Sequence, residues 1–238
     1  MNAFNHFNPL HYRYIPRDTE LSTKLEEYRD LSILSKTINI VPEIIIPRIS
    51  SLEAGLLSIA SENIAKIVPK RVDGIHDGTV NVGNVFVNYA WRLKSRRRNI
   101  ELLSLDFNGL EEDSISDRLS DLSYFLVSAL AIEANIANDT RHLFRSEIEE
   151  YGFLDYGKDR VGSSTMPHKR NPIEFEQVVS FWKTYSPRVL SSIFGQVTEH
   201  QGDSTNQQLP YSSFELACAV AYTTKSLENT LKNIRINV

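Results

Sequence analysis

The sequence predicts an all-α protein built from long helices packed as a bundle. Two observations carry that expectation. Apolar residues recur with helical spacing through most of the 238-residue chain. Outside the short INIVPEIII stretch (38–46), no run alternates convincingly with period two.

The elements follow in order. After an irregular start, 20–38 reads as a helix, and Pro42 and Pro47 punctuate what comes next. Ser50 with Glu53 forms a capping-box pattern opening a helix to about 68, with Leu52, Leu56, Ile59, Ile64 and Ile67 as its apolar stripe. The segment RVDGIHDGTVNVGN (71–84) holds three of the chain's ten glycines and reads as a loop. A helix over 85–103 carries the basic run KSRRRN, and a longer one covers 116–149, with Leu119, Leu122, Leu126, Ala129, Leu130, Ile132 and Ile136 facing a core. Residues 151–172 are irregular. Helix resumes over 173–200 with a kink at Pro187, and Ser212 with Glu215 opens a last helix running almost to Val238. Residues 1–84 form an N-terminal region and 85–238 a central helical-bundle domain.

Composition narrows the function. Hydrophobic residues at 41% and charged residues at 24% are ordinary for a globular protein, and a net charge of -4 argues against a dedicated nucleic-acid binder. The single cysteine, Cys218, permits no intrachain disulfide, fits a reducing compartment, and reads as a buried small hydrophobe. No signal-peptide pattern opens the chain, and the most apolar segment, 125–137, is too short and too polar to span a bilayer. A cytoplasmic protein without membrane or nucleic-acid partners is expected. KSRRRN reads as a solvated helix face, and Trp91 and Trp182 as core or subunit-contact residues.

One run stands out, GSSTMPHKRNP at 162–172. Asn171 and Pro172 suit the first positions of the helix that follows, and Glu174 completes an Asn-x-x-Glu cap. Free N–H groups there, with Lys169 and Arg170 beside them, make a place for an anion. Ser163, Ser164 and Thr165 add hydroxyls, and Glu176 lies one turn into the helix. On composition alone the favoured reading of the run is a well-capped helix behind a solvated basic loop.

The run matches every fixed position of Gly-Ser-Ser-x-Met-Pro-x-Lys-x-Asn-Pro and so resembles the signature of the fumarase/aspartase superfamily. MPHKRNP is similar to the form found in adenylosuccinate lyases and carboxymuconate cycloisomerases. DTRHLFRSEIEE (139–150), NPIEFE and TEHQGDSTN (198–206) resemble the adenylosuccinate lyase branch, as does the Arg13-Tyr14 pair in NPLHYRY. The resemblance implies the superfamily's long-helix bundle and β-elimination of fumarate from a succinyl-substituted nitrogen, with no cofactor or metal. It implies Ser163 as the proton-abstracting base, Lys169 and Asn171 on the substrate carboxylates, and Ser164 and Met166 lining the pocket. Arg170 stands beside them, Arg13 and Tyr14 would hold a nucleotide phosphate, and Glu176 would orient the general-acid histidine. It also implies a homotetramer with active sites shared between subunits and a succinyl-nucleotide substrate.

The chain departs from the family's pattern as well. Neither Thr-His-Gly-Gln nor His-Asp-Val is intact. His76, in GIHDGT, is the candidate general acid if that segment is a shortened Thr-His-Gly-Gln region. It is not the acid if the segment is a degenerate Ile-His-x-Gly region, and a histidine of no special role is a third reading. Gln201-Gly202-Asp203 stands where the family has Glu-Arg-Asp, and the family's C-terminal helical domain is expected to be absent beyond Val238. Three readings stay open: an adenylosuccinate lyase-like enzyme, a catalytically impaired paralogue or fragment, and a member of the argininosuccinate lyase or cycloisomerase branches.

Overall fold

The computed structural model describes residues 14–105, 107, 112–154, 171–197, 199, 205 and 209–237. Helices dominate, as the periodicity predicts. In chain order they are α1 (Thr19–Glu27), α2 (Ile33–Ile40), α3 (Ile46–Glu62), α4 (Val82–Leu105), α5 (Glu112–Leu143), α6 (Ile173–Tyr185), α7 (Arg188–Phe194) and α8 (Leu209–Leu231). Among the described residues four short strands accompany them: β1 (Ile67–Val72), β2 (Ile75–Asn81), β3 (Tyr151–Phe153) and β4 (Ile234–Ile236). They pair as two separate antiparallel ribbons, β1 with β2 and β3 with β4.

α8 lies at the centre. From Phe214 to Ala221 only Glu215 is not buried, so this helix is apolar nearly all round, as a helix surrounded by others must be. It packs against α5, α6, α7, α3 and α2. α5 presents the expected stripe, with Leu119, Leu122, Leu126, Ala129, Leu130, Ile132 and Ile136 all buried. Cys218 is also fully buried, a small hydrophobe in the seam.

Several boundaries differ from expectation, each for a local reason. The helix expected over 20–38 is two helices. Asp18 caps α1 by accepting from the Leu21 N–H at 3.2 Å, and Ser32 starts α2 afresh by accepting from the Ser35 N–H at 3.1 Å. Pro42 and Pro47 do not end the helix that follows. Val41–Ile45 is a π turn with Pro42 in its first turn, and Pro47 sits in the first turn of α3, so the missing N–H groups fall where the winding changes. Ser50 and Glu53 therefore lie inside α3. Glu53 is buried and pairs with Arg97 of α4, Nε to Oε1 at 2.8 Å, while Arg96 donates to the Ser128 hydroxyl of α5 at 2.7 Å. Part of the basic run thus ties helices together. Ser213 likewise lies inside α8, which opens at Leu209 with Pro210 beside it. With Ser123 of α5 and Ser192 of α7 it forms a buried triangle of hydroxyls at 3.0, 2.9 and 3.2 Å. Pro187 breaks the helix expected over 173–200 into α6 and α7.

The loop expected at 71–84 is instead the β1–β2 ribbon followed directly by α4. Asp73 and Gly74 take φ of 52° and 80° and make its tight turn, the conformation that an Asp-Gly pair favours. Two helical stretches, Ile33–Glu62 and Ile115–Leu143, are long and apolar enough by length and composition to cross a membrane, which no segment of the sequence suggested. In the second, 61% of the most apolar window is buried inside the bundle.

Candidate functional site

The N-terminal segment is pinned by aromatic packing. Tyr14 opens a 3₁₀ turn (Ile15–Arg17), and its ring lies 4.8 Å from Phe181 of α6, edge on, and 5.1 Å from Tyr222 of α8. Phe181 and Tyr222 stack on each other at 5.1 Å. Below this cluster Asp18 accepts from the buried Arg48 guanidinium, which also reaches Glu20 at 2.7 Å and the Ala221 carbonyl at 2.7 Å. Lys225 joins the network through Glu20 at 3.0 Å. Arg48 and then Lys225 hold the Glu20 carboxyl below the usual carboxylate range.

Next to this lies a cavity of about 370 Å³ whose lining includes Arg17, Glu174, Tyr222, Lys225, Asn229 and Asn233. Its floor is the polar side of α8, whose lining residues fall at helical spacing. One wall comes from the first turn of α6. The cavity therefore joins the segment after Arg13-Tyr14 to the helix after the signature run.

The roots of the 155–170 stretch are fixed by rings. Phe144, just past α5, lies 5.8 Å from Phe175 of α6, and Phe153 of β3 stacks on Phe175 at 6.3 Å. α6 then begins with Pro172 at its cap position, one residue later than the Asn171 cap expected, and the N–H groups of Phe175 and Glu176 bond the Pro172 carbonyl. Asn171 is half-buried at this junction and Glu176 is exposed. Arg13, Ser163, Ser164, Met166, Lys169 and Arg170 lie outside the described residues.

His76 is on β2, exposed, opposite Arg71 in the ribbon register. Arg71 forms an ion pair with Glu150 and so ties the ribbon to the approach of β3. Among the described residues His76 makes no hydrogen bond or ion pair with Tyr14, Asn171 or Glu176. Sequence reasoning overlooked Arg17 and the polar face of α8. Tyr222, Lys225 and Asn229 recur with helical period along α8, with Asn233 just past its end, and this spacing can be read in the sequence.

A sequence-family profile described as Lyase matches residues 107–182. The adenylosuccinate lyase of Pyrococcus abyssi is 31% identical over 153 residues, which is 58% of this chain and 34% of that protein. The N-acetyl-S-(2-succino)cysteine lyase of Enterococcus italicus is 29% identical over 145 residues, 59% of this chain and 31% of that protein. A solved structure, the fumarate lyase:delta crystallin of Brucella melitensis, superposes with a TM-score of 0.71 at 17% identity, covering 86% of this chain and 56% of that one. Over part of its length the chain is similar to lyases of the fumarase/aspartase superfamily, and it shares its fold with a fumarate lyase. Within that superfamily the chain is similar to adenylosuccinate lyases, and it spans about a third of the length of the curated relatives it matches.

Proposed function

We propose that the chain carries the β-elimination chemistry of the adenylosuccinate lyases, releasing fumarate from adenylosuccinate and the related succinyl-aminoimidazole-carboxamide ribotide in purine nucleotide biosynthesis. The single observation that carries this reading is the complete signature run, GSSTMPHKRNP. The aromatic docking of Tyr14 on α6 and α8 supports it, since it holds the neighbour of Arg13 against the helix that follows the signature.

In this reading the Ser163 alkoxide takes a proton from the carbon beside a succinyl carboxylate. The electrons form the fumarate double bond, the C–N bond breaks, and the nitrogen leaves with a proton from a general acid. Lys169 and Asn171 hold the carboxylates and stabilise the negative charge that builds on the one next to the abstracted proton. Ser164, Met166 and Arg170 line the pocket, and Arg13 with Tyr14 holds the phosphate. His76 is the acid, brought to the signature of a neighbouring copy on its exposed ribbon and oriented by Glu176. A homotetramer with shared sites, working in the cytoplasm, completes the reading. The exposed apolar residues Val87, Trp91, Leu102 and Leu105 along α4 support assembly.

The test is fumarate release from adenylosuccinate, followed by absorbance. Ser163→Ala should abolish release and leave nucleotide binding nearly unchanged, because the lost group acts in the chemical step. Binding of adenylosuccinate without release by the unmutated protein would overturn the reading. A second reading, a paralogue impaired in catalysis, is favoured by Gly202 standing where the family has an arginine.

A further inference from the structure

The candidate site makes no use of Glu133. This residue sits in the middle of α5 with 0% of its surface exposed, facing α8. Its two carboxyl oxygens meet two neighbouring threonine hydroxyls, Oε2 with Thr223 Oγ1 at 2.6 Å and Oε1 with Thr224 Oγ1 at 2.5 Å. Each hydroxyl also lies against carbonyls of its own helix, Thr223 on Ala219 at 2.9 Å and on Val220 at 3.2 Å, and Thr224 on Val220 at 2.7 Å.

Proton counting is the decisive step. Each threonine has one proton to donate. If Glu133 is ionised, five oxygen–oxygen contacts share two protons, and three contacts face lone pair to lone pair in an apolar seam. A third proton, on the carboxyl, lets Glu133 donate to one threonine and accept from the other, and frees one threonine to bond its own helix. Among the described residues no cation relieves the charge instead. On α4, Tyr89 is bound to Asp139, and Arg92 and Arg96 donate to Asn135 and Ser128. On α7, Arg188 pairs with Glu215, and on α8 Lys225 pairs with Asp18 and Glu20. Tyr185 of α6 and Cys218 and Tyr222 of α8 take their electrostatic influences from other groups. Among the described residues, burial and the two threonines are what act on Glu133.

We propose that Glu133 carries a proton in the folded chain and that this proton locks α5 to α8, making the central seam of the bundle a pH-sensitive element. Burial pushes the Glu133 carboxyl up to about 7, and the two threonine hydroxyls pull it back only partway. A carboxyl that binds its proton more tightly when folded gives stability that is complete below its unfolded value. That stability is lost as pH climbs through the folded value. Between the ordinary value of 4.5 and about 7, this one group raises the unfolding constant about tenfold per pH unit.

The experiment compares denaturant unfolding of the full chain and of Glu133→Gln from pH 5.5 to 8. Glutamine keeps a donor and an acceptor and has no charge to lose. The ratio of the two unfolding constants should shift more than about tenfold in favour of the variant over that range; a flat ratio overturns the proposal. Infrared spectra of the unmutated protein at pH 6 give a second reading that needs no variant. Solvated carboxylates are ionised there, so one carboxylic-acid carbonyl band, slow to exchange its proton for deuterium, is expected. Its absence overturns the proposal even if the variant does not fold.

Discussion

Arg48 is 6% exposed, with oxygens of Asp18, Glu20 and Ala221 around its guanidinium. A buried charge stripped of its partner costs about 3–5 kcal/mol. Asp18→Asn keeps the acceptor that caps α1 but removes the charge, so a loss of stability approaching that range is expected in urea unfolding. Glu20 sits at the exposed edge of the same network, with its carboxyl held low by Arg48 and Lys225. Its contribution is present above the unfolded carboxylate value and fades as pH falls through the folded one. Glu20→Gln should therefore lower the melting temperature at neutral pH, leave it little changed at the acid end, and so flatten the acid side of the profile. Gly83 shows a different constraint. A methyl there would lie 2.8 Å from the Ala60 carbonyl oxygen, which belongs to backbone and cannot swing aside. Gly83→Ala should destabilise by about 1–3 kcal/mol, read from the same unfolding curves.

At the scale of elements, the long helices were legible because burial imposes a period on the sequence. α5 shows its full stripe, and the break at Pro187 falls where the missing N–H requires it. Capping patterns misled twice. Ser50 with Glu53 and Ser212 with Glu215 have the spacing of a box, but Glu53 is spent on Arg97 and Glu215 on Arg188, each in a tie between helices. The four strands were missed for a physical reason too. β3 and β4 are three residues each, too short to establish alternation, and in β1–β2 Val68 alone is buried, so no face is selected to be apolar. What did mark the ribbon was Asp73-Gly74 between Val72 and Ile75. Gly74→Val, at a φ of 80°, should loosen the ribbon and speed proteolytic cleavage between β1 and β2 while the melting temperature of the bundle moves little.

For the whole molecule, the fold class and the likeness to a lyase superfamily were readable from periodicity and one eleven-residue run. The cavity beside Arg17 was not, because it needs α8 turned so that Tyr222, Lys225 and Asn229 face the start of α6, a rotation set by packing rather than by local sequence. Position also could not assign His76, since a histidine on an exposed ribbon acquires a role only from what it meets. Trp91, 70% exposed on a single chain, would be covered in the proposed tetramer. Trp91→Lys should shift the sedimentation profile toward smaller species, with the helical circular dichroism signal retained.

The pairing of β3 with β4 has a consequence for biosynthesis. β3 leaves the ribosome about eighty residues before the strand that completes it, a wait of roughly 4–16 s at ordinary elongation rates. During that interval Tyr151 and Phe153, both buried in the finished protein, have no β4 to lie against. The root of the signature segment is therefore among the last parts of the nascent chain to be secured, and a chaperone that shields aromatic residues would find its binding window there.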